Sequence, residues 1–498
     1  MNVLGIDLGT SALKAVLVDD RQSILAEASV PLAVSCPRPG WSEQDPRDWW
    51  AAFLAAVAQL RKARPDAFGS VRAIGLSGQM HGSVLVGRNG EAIRPAILWN
   101  DSRAVRECAA LTQAVPDLSR IAGIIAMPGF TAPKLLWLQE HESESFGRIS
   151  KVISPKDYLR LKLTGEAITD VSDAAGTLWL DQAARNWSAP MLAASGLTPE
   201  AMPGLVEGSG PGGSVRAALL AGWGISHPVL VAGGAADAAA SAIGIGAVEE
   251  DDAFVSLGTS AQLFVTDARY RPQPETLLHA FAHALPARWY RMAAMLNGAA
   301  CLRWVAGIVG APDLAALLER TEAKYRGPSR ILFLPYLSGE RTPHNDPDAR
   351  GVFVGLDPDA GATDLAQAVL EGVAFSLVEA RDLLEGTGIG LPAVAAVGGG
   401  AKSRFWMQLL AHALGVPVVR YGGSETGPAF GAARLAIMAL ISASPGDICV
   451  KPTVLDVLEP DPSLHAAYTE RFAAYRRLYG HLRPLFPGMQ GVEASPRR

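Results

Sequence analysis

The chain has 498 residues, too many for one ordinary domain, so two or three are expected. Hydrophobic residues make up 49% and charged residues 19%, which supplies large buried cores and excludes a disordered chain. A net charge of −5 without any Lys/Arg-rich run argues against nucleic acid as the main partner, although a local basic pocket for phosphate stays open.

The first residues, Met-Asn-Val-Leu-Gly-Ile-Asp, lack a basic n-region and a cleavage site, and no apolar run reaches the ~20 residues that span a bilayer. Cys36, Cys108, Cys301 and Cys449 lie far apart with no CxxC spacing, as expected of reduced thiols. A soluble, cytoplasmic protein with no membrane partner is expected.

In chain order, an apolar run at 3–6, a polar turn and a second apolar run at 15–18 predict strand, turn, strand. A helix follows over 49–63, then a strand over 71–76 that ends in Ser77-Gly78-Gln79-Met80-His81-Gly82. A strand over 96–98 ends in Trp99-Asn100-Asp101-Ser102-Arg103. Glycines at 208–213 read as a surface loop, and a strand over 228–232 runs into Gly233-Gly234-Ala235-Ala236-Asp237. A hinge is expected at 244–252, where glycines give way to Glu249-Glu250-Asp251-Asp252. Beyond it lie strands over 253–255, 263–265 and 331–334, then a helix over 364–384 with Leu365, Val369, Leu370, Val373 and Leu377 along one face. A strand over 394–397, three glycines and a helix over 405–414 complete the pattern. Helices covering mixed sheets make the class α/β.

The most informative feature is a repeat. Leu8-Gly9-Thr10-Ser11-Ala12 recurs word for word as Leu257-Gly258-Thr259-Ser260-Ala261, half the chain later and with matching apolar flanks. Duplication accounts for this better than chance, and it predicts two similar lobes facing each other across a central cleft. A Gly-Thr-Ser turn offers backbone N–H groups and hydroxyls in little space, which suits phosphate oxygens; a single copy reads more simply as a self-bonded β-turn. Two opposed copies are able to grip one polyphosphate. Asp7 precedes the first turn where Ser256 precedes the second, and a carboxylate beside a phosphate cradle calls for a cation between them. Asp7 is therefore the candidate for Mg²⁺, with an Asp capping its own turn as the plainer alternative. Walker A, GxGxxG and protein-kinase motifs are absent.

Asp237 stands alone among alanines after two glycines, so it has the setting of a group that takes a proton from an attacking hydroxyl; a helix N-cap is the equal alternative. His81 and Trp99 sit at predicted strand ends, where α/β proteins bind ligands, and a buried, satisfied His81 is the competing reading. Gly398-Gly399-Gly400-Ala401 would let a purine lie against bare backbone, although triple glycines are more often only flexible. The polar run at 337–346 reads as an ordered loop and is assigned no ligand.

These residues resemble the FGGY carbohydrate kinase family nearly end to end. The match runs through Gly5-Ile6-Asp7-Leu8-Gly9-Thr10-Ser11, Gly40-Trp41-Ser42-Glu43-Gln44-Asp45-Pro46, the Gln79-Met80-His81-Gly82 stretch and Trp99 to Arg103. It continues through Lys134-Leu135-Leu136-Trp137, Lys156-Asp157-Tyr158-Leu159, Gly233 to Asp237, Ser338 to Asp346, Gly398 to Ser403 and Gly427 to Ala433. The resemblance implies two ribonuclease H-like lobes of the actin and hexokinase type, a sugar-binding lobe at 1–246 and an ATP-binding lobe at 247–498. It implies ATP with Mg²⁺ and a hinge closure; family members are often homodimers. By resemblance Asp237 is the general base, and Met80, His81 and Trp99 meet the sugar. Gly9, Thr10, Ser11 and Lys14 face Gly258, Thr259 and Ser260 across the phosphates, and Gly399, Gly400 and Ala401 meet the adenosine end. Gln-Met-His-Gly is the stretch that resembles members acting on D-xylulose. Ala238 stands where relatives often carry Asn or Gln, which leaves L-ribulose, glycerol and other polyols open. A non-catalytic actin-like switch would share the turns but would have no use for Gln79-Met80-His81 or Asp237.

Overall fold

The structure is a computed structural model and describes residues 1–422 and 427–489, so the last residues assigned to the second lobe lie outside the described part. The first repeat opens the chain as β1 (Asn2–Leu8) and β2 (Ala12–Val18), an antiparallel pair extended by β3 (Ile24–Pro31). On the other side of β1 lies β4 (Val71–Gly78), parallel to it, followed by β6 (Leu230–Ala232) and the edge strand β5 (Pro211–Ser214). A short β7 (Ala235–Ala236) continues beside β4 and completes a seven-stranded sheet ordered β5-β6-β4-β1-β2-β3.

The second half repeats the plan. Strands β8 (Ala253–Leu257), β9 (Ala261–Asp267), β10 (His279–Ala282) and β11 (Trp289–Met295) form the antiparallel side. Strands β12 (Val394–Val397) and β13 (Val418–Tyr421) run parallel to β8, with β14 (Val454–Leu458) at the edge. The order is β10-β11-β9-β8-β12-β13-β14. In each sheet the first strand carries its hairpin partner on one side and parallel strands on the other, so the duplication read from ten residues extends to whole-sheet topology.

Helices cover these sheets, which is why β1 is buried along its whole length instead of alternating. α1 (Pro46–Ala63) starts at the Asp45 cap, whose carboxylate accepts from Arg47 N–H, with Pro46 at the first helical position. It buries Trp49, Ala52, Phe53, Ala56, Val57 and Leu60, an unbroken helical stripe. α2 (Thr131–His141), α3 (Pro155–Thr164) and α4 (Asp237–Ile245) belong to the same half. The second half contributes α5 (Ala300–Ile308), α6 (Ala362–Gly386), α7 (Arg404–Leu414) and α8 (Gly427–Ile441). Helix α8 crosses over and packs against α4 and on β1 and β4 of the first sheet. The approach is so close that any Cβ on Gly5 or Gly75 would collide with the backbone carbonyls of Ala429 and Ala432. Residues 247–498 thus lend a helix to the first lobe, and one buried apolar cluster runs from Val3 and Ala73 to Phe254, Phe264 and Ala395 beneath the cleft.

The glycine run at 208–213 differs from its expected form. Instead of a surface loop it enters the sheet edge as β5 and packs under the Asp237 segment, where Gly234 N–H donates to the Gly208 carbonyl at 3.0 Å. Glycine serves here because two backbone segments touch. The four cysteines are free. Among the described residues no helix is long and apolar enough to cross a membrane.

Candidate active site

Sheet register assembles the site. Asp7 on β1 pairs with Ser77 on β4, and Ser77 pairs in turn with Ala235 on β7, all in parallel. The three strands end together, so the first turn, the Gln79-Met80-His81 segment and Asp237 emerge at one sheet edge, where open α/β sheets bind ligands. A cavity of about 200 Å³ opens there between the lobes. Asp7, Gly9, Thr10, Met80, His81, Trp99 and Asp237 line it from the first half, and Ser260, His279 and Arg341 from the second.

Asp237 is the first residue of α4, and its Oδ1 accepts the N–H of Ala238 at 2.8 Å. The cap position falls on Ala236, so Asp237 is not the N-cap of the simpler reading. Burial raises its pKa to about 6, with the backbone N–H groups of Ala238 and its own residue pulling the other way. At neutral pH it is an ionised carboxylate that takes a proton readily. Asp7 is raised further, to about 7, by burial first and by the neighbouring Asp237 charge second, with Lys14 offsetting only part. Lys14 faces Asp7 across the β1–β2 pair, and its side chain is exposed, as is Ser11; neither lines the cavity.

The Thr10 hydroxyl does not have the freedom expected of a phosphate donor. It gives its proton to Gln79 Oε1 at 3.0 Å and accepts from Trp99 Nε1 at 3.0 Å. Gln79 Nε2 donates to Gln44 Oε1 at 3.1 Å, and Gln44 Nε2 returns to the Thr10 carbonyl at 2.8 Å. This closed ring spends the Trp99 N–H as well, so Trp99 offers the cavity no donor. Gln44 was quoted only as part of a motif, and its position in this ring had no local signal.

His81 holds a left-handed backbone conformation, φ +66°, with Met80 buried beside it. Its carbonyl accepts from Lys134 Nζ at 2.9 Å and Thr131 Oγ1 at 3.1 Å. Burial pulls Lys134 down to about 7, and its ammonium has only carbonyls for partners, those of Gly129 and Ile97 besides His81. The His81 ring nitrogen Nδ1 stands 2.7 Å from the Gly176 carbonyl. Burial drops the imidazole to about 3, with that hydrogen bond opposing and the Arg341 and Lys134 charges adding to the drop. The ring is therefore neutral, Nδ1 carries the proton because a carbonyl only accepts, and Nε2 is left as a bare acceptor. Such a nitrogen accepts a hydroxyl proton.

Across the cleft, the second turn closes with Gly258 N–H on the Ser260 carbonyl at 3.0 Å, and the Thr259 hydroxyl accepts weakly from Arg303 of α5 at 3.4 Å. β8 and β12 lie in parallel register at Ser256 and Val397, which places the triple glycine beside this turn. Gly399 is exposed and a side chain there would meet open space, whereas Gly400 and Ala401 are buried against the core; none of the three lines the cavity. Two lining residues had no assigned role. His279 is fully buried with both ring nitrogens unpartnered, and Phe130 lies between it and His81, its ring 4.3 Å from the His81 ring. Arg341 comes from the 337–346 loop that was assigned no ligand; its guanidinium has no hydrogen-bond partner among the described residues. The polar density of that loop was its one visible signal.

The residues fit a magnesium ion at Asp7. Its Oδ1 is buried without a hydrogen-bond partner, and it faces the cavity beside a turn of N–H groups. A single carboxylate suits Mg²⁺, which keeps several waters and relies on substrate phosphates for the rest. The carboxylate and imidazole group at Glu107, Glu140 and His141 does not line the cleft cavity.

Known proteins place the chain by family. Residues 2–244 match the N-terminal domain of the FGGY family of carbohydrate kinases, and residues 253–440 match its C-terminal domain. The xylulose kinase of Escherichia coli (strain K12) is 45% identical, over 97% of this chain and 99% of that protein. The crystal structure of a xyloylose kinase from Brucella ovis is 48% identical with a TM-score of 0.93, covering 97% of this chain and 100% of that one. A gluconate kinase from Lactobacillus acidophilus superposes with a TM-score of 0.91 at 27% identity, over 98% of this chain and 99% of that one. With both halves matched and the paired turns, cleft and carboxylates in place, the chain belongs to the FGGY family of carbohydrate kinases.

Proposed function

We propose that this protein transfers the γ-phosphoryl group of ATP to the terminal hydroxyl of D-xylulose, yielding D-xylulose 5-phosphate and ADP in the cytoplasm. The observation that carries the reading is one cavity lined by Asp7, Met80, His81 and Asp237 from one lobe and Ser260 from the other. Full-length relatives named xylulose kinase support the choice of sugar.

The sugar lies in the first lobe against Met80 and Trp99, with a hydroxyl donating to His81 Nε2. The nucleotide lies along the second lobe, with its phosphates between the two Gly-Thr-Ser turns and its adenosine end toward Gly399, Gly400 and Ala401. Closure of the lobes excludes water and aligns the terminal hydroxyl with the γ-phosphorus. Asp237 accepts the hydroxyl proton as the new O–P bond forms and the bond to the β–γ bridging oxygen breaks, and ADP departs. Asp7 holds Mg²⁺, which when bound neutralises charge on the phosphate oxygens. A homodimer is part of the same reading, as the resemblance suggests.

The test is ADP release with MgATP against D-xylulose, L-ribulose, D-ribulose, glycerol and gluconate. D-xylulose is expected to give the highest kcat/KM by a wide margin. Another acceptor in first place would refute the sugar assignment, and no release above background would refute the kinase reading.

A further inference from the structure

We infer that the short buried segment Asp170 to Gly176 is a positioning element that sets the base and the sugar-contacting histidine together, an inference that rests on the reading of Asp237 as base. The segment ends one strand (Ile168–Asp170), makes one helical turn (Val171–Ala174) and continues as a 3-10 turn (Ala175–Thr177). Its two ends reach two different parts of the site.

At the first end, Ser172 Oγ accepts the N–H of Ala236 at 3.1 Å, one residue before Asp237. The Ser172 proton is committed to Asp170 Oδ2, which also accepts the N–H groups of Ser172 at 2.8 Å and Asp173 at 3.3 Å. The hydroxyl therefore has one orientation, and it fixes where α4 begins. At the other end, the Gly176 carbonyl holds His81 Nδ1 at 2.7 Å. A Cβ on Gly176 would stand 2.7 Å from that nitrogen and 2.9 Å from Met80 Cε, so a side chain there would displace both sugar contacts.

The segment is anchored by a fully buried ionic cluster. Lys156 Nζ of α3 lies 2.6 Å from Asp157, 2.8 Å from Asp170 and 3.2 Å from Asp173. Arg160, one turn along the same helix, shares Asp157 at 3.3 Å and donates to the carbonyls of Gly212 at 3.0 Å, Ala232 at 2.7 Å and Gly233. The glycine loop that carries Asp237 is thus held on its carbonyl side by Arg160 and on its N–H side by Ser172. Buried ion clusters stabilise a fold poorly compared with apolar packing, because desolvation offsets their attraction. Here two of the three carbonyls that Arg160 holds, those of Ala232 and Gly233, lead directly into the Asp237 loop, and the same short segment ends on His81, which points to geometry in the site as its use.

The two ends predict a split in kinetic constants. Ser172→Ala should lower kcat roughly 10- to 100-fold, since an ångström of misplacement costs about that much, while KM for D-xylulose and ATP stays within about threefold. Ser172→Thr, which keeps the hydroxyl, should recover most of the loss. Gly176→Ala should raise KM for D-xylulose about tenfold or more with kcat within a few-fold. Nucleotide affinity measured by calorimetry confirms that each variant is folded. A wild-type kcat in Ser172→Ala, or both variants moving the same constant, overturns the inference. If Ser172→Ala does not fold, Gly176→Ala decides: a change confined to sugar KM supports it and an unchanged KM overturns it. An active Asp237→Asn enzyme would instead refute the base assignment, so the two failures are separable.

Discussion

The two Gly-Thr-Ser turns share five residues in a row and occupy matching places in two sheets of the same topology, yet they are wired differently. In the first, the Thr10 hydroxyl is saturated by Gln79 and Trp99, and the residue before the turn is a buried carboxylate raised to about 7. In the second, the Thr259 hydroxyl has, among the described residues, only a weak contact with Arg303, and a serine stands where Asp7 would be. On the proposed reading the first turn belongs to the sugar pocket and the cation site, and its Thr10 hydroxyl is not available to phosphate. On the same reading the second keeps its Thr259 hydroxyl for the nucleotide. A duplicated motif shares its backbone geometry, and the neighbours each copy meets decide its chemistry.

Within the pair of turns, the largest expected effect comes from making the first copy the second. Asp7→Ser should lower kcat ~10²–10³-fold and flatten the dependence of rate on Mg²⁺, whereas Ser256→Ala should cost no more than a few-fold. Equal losses would end the asymmetry. Next, Thr10→Val leaves Gln79 and Trp99 each short of a buried partner, at about 1–3 kcal/mol apiece. Steady-state kinetics should show KM for D-xylulose rising about tenfold or more with KM for ATP held. Thr259→Val should do the reverse on a smaller scale, raising KM for ATP by a few-fold. A separate expectation concerns pH. Burial raises Asp237 to about 6, and the ionised form is the base, so its contribution is present above that value and is lost as pH falls through it. A profile of kcat/KM should fall about tenfold per pH unit below about pH 6, and a flat profile down to pH 5 would contradict the base role.

Much of the fold was legible because its signals are local. The strand, turn and strand around residues 8 and 257, the α1 start at Asp45-Pro46 and the 394–397 strand all follow from spacing and caps within a few residues. The same holds for the place of Asp237 at the cavity, which its small neighbours mark. What was not legible depends on partners far along the chain. Gly176 holds His81 from 95 residues away, and nothing in Ala-Ala-Gly-Thr announces it. Gln44 gains its place only when α1 and β4 bring it to Gln79. His279 and Arg341 belong to the opposite lobe, and the loop around Arg341 looked polar enough to be only a loop. The glycines at 208–213 were misread for the same reason, since close backbone packing and flexibility use the same residue.

The most direct test of the account is the turnover and ATP affinity of Asp237→Asn with MgATP and D-xylulose. A fall of ~10²–10⁴-fold in kcat with the ATP dissociation constant within about threefold of wild type is the predicted result. Turnover at close to the wild-type rate would contradict it.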